Sequence, residues 1–164
     1  MFIFGGLMWQ KYKPYILSVL VALAVGGLSA LLTSGNMNLY EKINRPPLSP
    51  PSILFPIVWT ILYILMGISS AMIFLQKEKY PKEVSEALFT YTTQLFFNFF
   101  WSILFFNFEA YLISFVWLIC LWMLILTMII RFYKISPPAA YLQIPYLIWV
   151  TFAGYLNLMI YLLN

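Results

Sequence analysis

The sequence contains no histidine. That removes the commonest transition-metal ligand and the usual proximal haem ligand. Its one cysteine, Cys120, cannot close an intrachain disulfide and carries no information about redox compartment. Charge is scarce: only 9% of the 164 residues are Asp, Glu, Lys or Arg. None of these falls deep within a long apolar run, so the intramembrane charges used by proton relays and ion-coupled pumps are missing. There is no P-loop, no paired carboxylate, no cluster with metal-ligand spacing and no Ser–His arrangement. No metal and no cofactor are therefore expected. The net charge of +4 is small and its basic residues are scattered, which argues against nucleic acid as a partner.

What is present is apolar and aromatic. Hydrophobic residues make up 63% of the chain, and the mean hydropathy is +0.90. A soluble domain of this length could not bury so much apolar surface. The sequence reads as an all-α membrane protein, a single domain over residues 1–164. A membrane-crossing helix needs roughly 20 mostly apolar residues. Five segments qualify: Tyr12 to Leu32, Ser52 to Leu75, Ala87 to Phe108, Ala110 to Ile130 and Pro138 to Leu163. The first is too long for the core of a signal peptide. Its small residues Ser18, Ala22, Gly26 and Ala30 recur every four positions, a spacing that lets helices approach closely in lipid.

The connections set the expected orientation. Lys11, Lys13, Lys77, Lys79, Lys82, Arg131 and Lys134 share one side of a five-span bundle, against Lys42 and Arg45 on the other. The excess of basic residues places the N-terminus in the cytoplasm, with the C-terminus and the first long loop outside. That loop, from Thr33 to Pro51, is the longest connection. The link around Glu109 is so short that the third and fourth segments must be antiparallel neighbours.

Candidate chemistry rests on aromatic and amide side chains. Among the six tryptophans, Trp9 suits the interfacial belt, and Trp117 and Trp122 read as packing or lipid-facing residues. Trp59, Trp101 and Trp149 have more telling neighbours. In QLFFNFFWS, Gln94, Asn98 and Trp101 share a helix face, and amides in hydrocarbon need partners. Gln94 reads equally well as interhelical glue. In IPYLIWVTFAGYLN, Trp149, Ala153 and Asn157 align, Pro145 is expected to bend the helix, and Ala153 and Gly154 leave room. Trp59, Tyr63 and Gly67 repeat every four residues in the second segment. Apolar walls with a few orienting polar groups are the usual lining of a small-molecule pocket.

The stretches RPPLSPPSILFPIVWTILYILMGIS, QLFFNFFWSILFF and PYLIWVTFAGYLN, in this order and spacing, resemble the translocator protein family of bacterial type. That family is also called TspO, tryptophan-rich sensory protein or peripheral-type benzodiazepine receptor. The likeness runs from Gly26 to Tyr161. It implies a bundle of five transmembrane helices, often dimeric, with the long loop between helices one and two folded as a lid over a pocket. It implies binding of tetrapyrroles such as protoporphyrin IX, and of drugs of the isoquinoline carboxamide and benzodiazepine types. Ligand contacts carried over by the resemblance fall on Tyr40, Trp59, Asn98, Trp101, Trp149 and Ala153, and Pro51, Phe55 and Tyr63 complete the candidate set. Some bacterial members are associated with light-dependent porphyrin breakdown, which makes Trp59 and Trp149 candidate photochemical residues. Three departures stand out. Leu48 sits where the family usually has a tryptophan, and Trp117 where many members have an acid. Tyr161 lacks the basic residue that the cholesterol motif of animal members needs, so cholesterol transport is not expected. A porphyrin transporter would need a coupling charge or an inverted repeat, and neither is visible. A purely structural or regulatory partner would use the tryptophans for packing and the small-residue stripe of helix one as a dimer face.

Overall fold

In the computed structural model the chain is helical, with no strand among the described residues. The structure describes the backbone of residues 2–36 and 38–164, and the side chains of residues 12–36 and 38–164. Trp9 and Lys11 therefore lie outside the described side chains. Helices α1 (Phe2–Thr33), α3 (Leu54–Phe74), α4 (Pro81–Ser102), α5 (Tyr111–Ile135) and α7 (Ile144–Leu163) are long. Short α2 (Leu39–Lys42) lies in the first connection, and α6 (Pro137–Tyr141) directly precedes α7. Among the described residues, four helical stretches are long and apolar enough to cross a membrane: Tyr12–Asn36, Leu54–Phe74, Tyr111–Ile135 and Pro137–Leu163. The protein is accordingly a multi-pass membrane protein.

α4 is the exception, and its sequence shows why. The expected start at Ala87 is six residues too late, because Pro81 opens the helix, a position where a missing N–H costs nothing. The added turns bring in Lys82, Glu83 and Glu86, and the same helix carries Thr90, Thr92, Thr93, Gln94 and Asn98. It is thus the most polar of the long helices, and it packs against α1, α3 and α5. Proline also marks the starts of α6 and α7. The bend expected within one helix at Pro145 is instead a break: α6 ends at Tyr141 and α7 restarts at Ile144, with Pro145 in its first turn. A ring that cannot donate belongs at such a start. Likewise Pro50 and Pro51 do not open α3. They precede it, and the Pro51 carbonyl accepts the Leu54 N–H at 3.0 Å.

α1 packs most extensively on α3. The small-residue stripe is used here, inside the chain: Ala22 is fully buried, and Gly26 lies against the Tyr63 ring. A methyl group on Gly67 would run into the backbone of Val19, so the two helix backbones touch directly. α4 pairs with α5 across Phe108–Ala110, as the short link requires, and Glu109 takes a positive φ of 50° to make the turn. The end of α4 widens into a π-turn at Ile103–Asn107. Asn107 there donates to the Leu32 carbonyl at 3.0 Å and accepts from Asn36 at 3.0 Å, tying α4 to the end of α1.

The connection from Ser34 to Ile53 is held at both ends of its path. Ser49 N–H donates to the Pro46 carbonyl, and Leu48 has a φ of 69°. With Pro47 at the preceding position this is a type II turn, which normally reserves that site for glycine or asparagine. Leu48 is 80% exposed. Nearby, Asn44 N–H donates to Asn164 Oδ1 at 2.9 Å, and Asn164 Nδ2 returns a bond to the Asn44 carbonyl at 3.2 Å. Tyr155 on α7 donates to the Pro47 carbonyl at 3.0 Å.

Candidate functional site

Aromatic rings from the connection, α3 and α7 form a wall of two ring groups. Tyr40 meets Phe55 edge-on at 5.1 Å, and Phe55 meets Trp149 at 5.9 Å. One turn further along both helices, Trp59 lies 5.7 Å from Tyr63 and 6.1 Å from Tyr146. The spacing is that of helix faces: Phe55, Trp59 and Tyr63 are four apart on α3, and Tyr146 and Trp149 are three apart on α7. Tyr40 is fixed from the connection, its hydroxyl donating to the Pro50 carbonyl at 3.1 Å and its ring lying 5.5 Å from the Arg45 guanidinium. The Trp149 indole N–H is buried and has no hydrogen-bond partner. Such a donor costs roughly 1–3 kcal/mol until something accepts from it.

Below this wall sits a chain of buried polar groups. The Tyr63 hydroxyl donates to Asn98 Oδ1. Asn98 Nδ2 donates to the Tyr146 hydroxyl at 2.8 Å, which donates to Gln94 Oε1 at 2.8 Å. Gln94 is thus joined to the cluster by helix-to-helix bonding, and it is fully buried. Asn98 keeps one oxygen lone pair and one N–H unused in this set.

Trp101 does not join it. Its indole N–H donates to Asn157 Oδ1 at 3.1 Å, and its ring stacks on Phe105 at 5.5 Å. Asn157 also accepts from Ser114 at 3.1 Å and donates to the Tyr111 carbonyl at 2.8 Å. The face expected to join Trp149, Ala153 and Asn157 therefore serves two centres. Ala153 is buried between them on α7. Gly154 opens the other way, onto an external groove of about 320 Å³ shared with Leu118, Trp122 and Thr151. Pro51 is exposed at the rim.

Trp117 and Trp122 are packing residues, as expected. Trp117 stacks on Phe97 at 4.3 Å and donates to its carbonyl at 2.8 Å. Trp122 donates to Thr151 at 2.9 Å. Two residues had escaped notice. Tyr146 is the hub of the polar chain, and its position three residues before Trp149 was the available signal. Gln143 is wholly buried with neither amide atom partnered, and its place beside Pro145 gave no such signal. No group of residues that could hold a metal occurs among the described residues.

Residues 18–163 match the TspO/MBR family. The chain is 39% identical over 125 residues to a tryptophan-rich protein TspO of Chlorobaculum tepidum, covering 76% of this chain and 78% of that one. It is 37% identical over 150 residues to a tryptophan-rich protein TspO of Archaeoglobus fulgidus, covering 91% and 95%. A translocator protein of Bos taurus is 35% identical over 133 residues, covering 80% and 79%. With an aromatic wall, a buried amide chain and nearly the whole length in register, the chain belongs to the TspO/MBR family.

Proposed function

We propose that the protein is a single five-helix membrane domain that binds a tetrapyrrole, with protoporphyrin IX as the reference ligand, and acts as its sensor or scavenger. α1, α3, α4, α5 and the α6–α7 pair are the five spans. The N-terminus faces the cytoplasm, and the connection before α3 is an outer lid over the aromatic wall. One observation carries the reading: the Trp149 N–H is buried without a partner beside the Phe55 ring, on the helix whose Tyr146 bonds an asparagine with spare capacity. A large flat ligand with peripheral acceptors would stack on Trp59 and Trp149, accept from Trp149 and meet Asn98. Tyr40, Pro51 and Phe55 would close the lid side, and Tyr63 and Ala153 the floor. Trp101 would lend only its ring, since its N–H is held by Asn157. Flat drugs of the isoquinoline carboxamide and benzodiazepine types fit the same description. An indole against a photoexcited porphyrin is an electron donor, which is the route to light-dependent breakdown at Trp59 and Trp149. Homodimers in lipid complete the proposal.

The test is a titration of the purified protein with protoporphyrin IX, first in the dark and then under illumination. Tryptophan emission should be quenched saturably, and Trp59→Phe and Trp149→Phe should each weaken the quenching. A double variant that binds and turns over porphyrin as the parent does would overturn the site.

A further inference from the structure

We infer that Gly26, on α1, is a positioning residue for this site: the missing side chain lets the Tyr63 ring sit where its hydroxyl can hold Asn98. The inference rests on the tetrapyrrole reading for its ligand, and on geometry for the rest. α1 supplies no ring to the aromatic wall, yet it is the helix that α3 packs on most. A Cβ on Gly26 would overlap three atoms of the Tyr63 ring, Cδ2, Cε2 and Cζ. Such overlap must be relieved by movement of one partner. The helices cannot simply draw apart, because the same face of α3 is seated one turn on, where Gly67 touches the Val19 backbone. The ring is the part that can move, and it pivots about a Cβ fixed on α3.

Moving the ring has a chemical consequence. Tyr63 is 7% exposed and Asn98 3% exposed, so no solvent replaces the bond between them. Asn98 would lose the only donor to its oxygen in this set, and its amide would be free to rotate away from Tyr146. The polar centre then no longer presents a fixed lone pair and N–H to a ligand. Preorganised polar groups are what orient a guest in an apolar pocket. Gly27, the next residue, offers an internal control, since a Cβ there meets nothing within 4 Å.

The experiment compares Gly26→Ala, Gly27→Ala, Tyr63→Phe and the Gly26→Ala/Tyr63→Phe double variant, with protoporphyrin IX binding in the dark read by tryptophan quenching. Gly26→Ala should weaken binding about tenfold, the scale of one buried hydrogen bond, and Gly27→Ala should bind as the parent does. In the Tyr63→Phe background the hydroxyl is already gone, so Gly26→Ala should weaken binding by less than it does in the parent. Parent-like binding by Gly26→Ala, or an equal loss in both backgrounds, would overturn the inference. Failure of the parent to bind protoporphyrin would sink the tetrapyrrole reading alone. Positioning is then read without ligand, from the Trp59 emission obtained by difference against Trp59→Phe. A shift caused by Gly26→Ala and not by Gly27→Ala supports it, and no shift overturns it. If Gly26→Ala does not fold, Gly26→Ala/Tyr63→Leu, which removes the ring, must restore folding, and failure to do so also overturns it.

Discussion

The bundle holds two buried asparagines with opposite characters. Asn157, between α4, α5 and α7, is saturated on its oxygen: Trp101 and Ser114 fill both lone pairs, and its amide N–H reaches the Tyr111 carbonyl. Asn98, between α3, α4 and α7, makes one bond through each end, both to tyrosine hydroxyls. Its partner Tyr146 lies three residues before Trp149, whose N–H is unpartnered. An amide with both oxygen lone pairs taken fastens helices, whereas one with a free lone pair still has bonding capacity to offer. The difference is the number of donors at the oxygen: an indole and a serine hydroxyl meet at Asn157, and a single tyrosine hydroxyl reaches Asn98.

The largest effect expected from breaking this contrast is on stability at the closed centre. Asn157→Leu strands the Trp101 N–H, while the Tyr111 carbonyl keeps the Ser114 hydroxyl, and thermal unfolding should show a loss of about 3 kcal/mol, the upper range for one buried donor left unpaired. Protoporphyrin binding by the fraction that folds should be unchanged. At the open centre the order reverses. Asn98→Leu should weaken protoporphyrin binding about tenfold, with a smaller stability loss of about 1–2 kcal/mol for the stranded Tyr63 hydroxyl. Trp101→Phe keeps a ring and deletes one donor, so calorimetry should show a loss of about 1 kcal/mol with no change in ligand titration. The smallest shift belongs to Trp149→Phe. It removes an unsatisfied buried donor, so the ligand-free protein should be no less stable than the parent, while its quenching by protoporphyrin weakens. A destabilised ligand-free Trp149→Phe would mean that the N–H has a partner and that the two centres are alike.

Much of this was legible in the chain. Long apolar runs set the long helices and the Phe108–Ala110 link the pairing of α4 with α5, because membrane length and missing charge leave few alternatives. Trp59, Tyr63, Asn98 and Trp149 were identified from their helix faces. The division of the polar groups into two centres was not legible. Periodicity places Asn98 and Trp101 on one face of α4, but which helix lies opposite each residue is a tertiary fact, and α7 presents Tyr146 to one and Asn157 to the other. Gly26 read as one of four equivalent small residues, yet its meaning depends on a ring thirty-seven positions away. Pro145 was misread as a bend because its place at a helix start depends on where α6 stops.

The anchoring of the connection at Leu48 has a further consequence. Its fastenings to α7 are amides, carbonyls and one tyrosine hydroxyl: Asn44 with Asn164, and Tyr155 with Pro47. The charged member of the cluster, Arg45, lies over the Tyr40 ring. None of these fastenings is an ion pair for salt to screen. Brine that would loosen a salt-bridged connection should leave this one fastened.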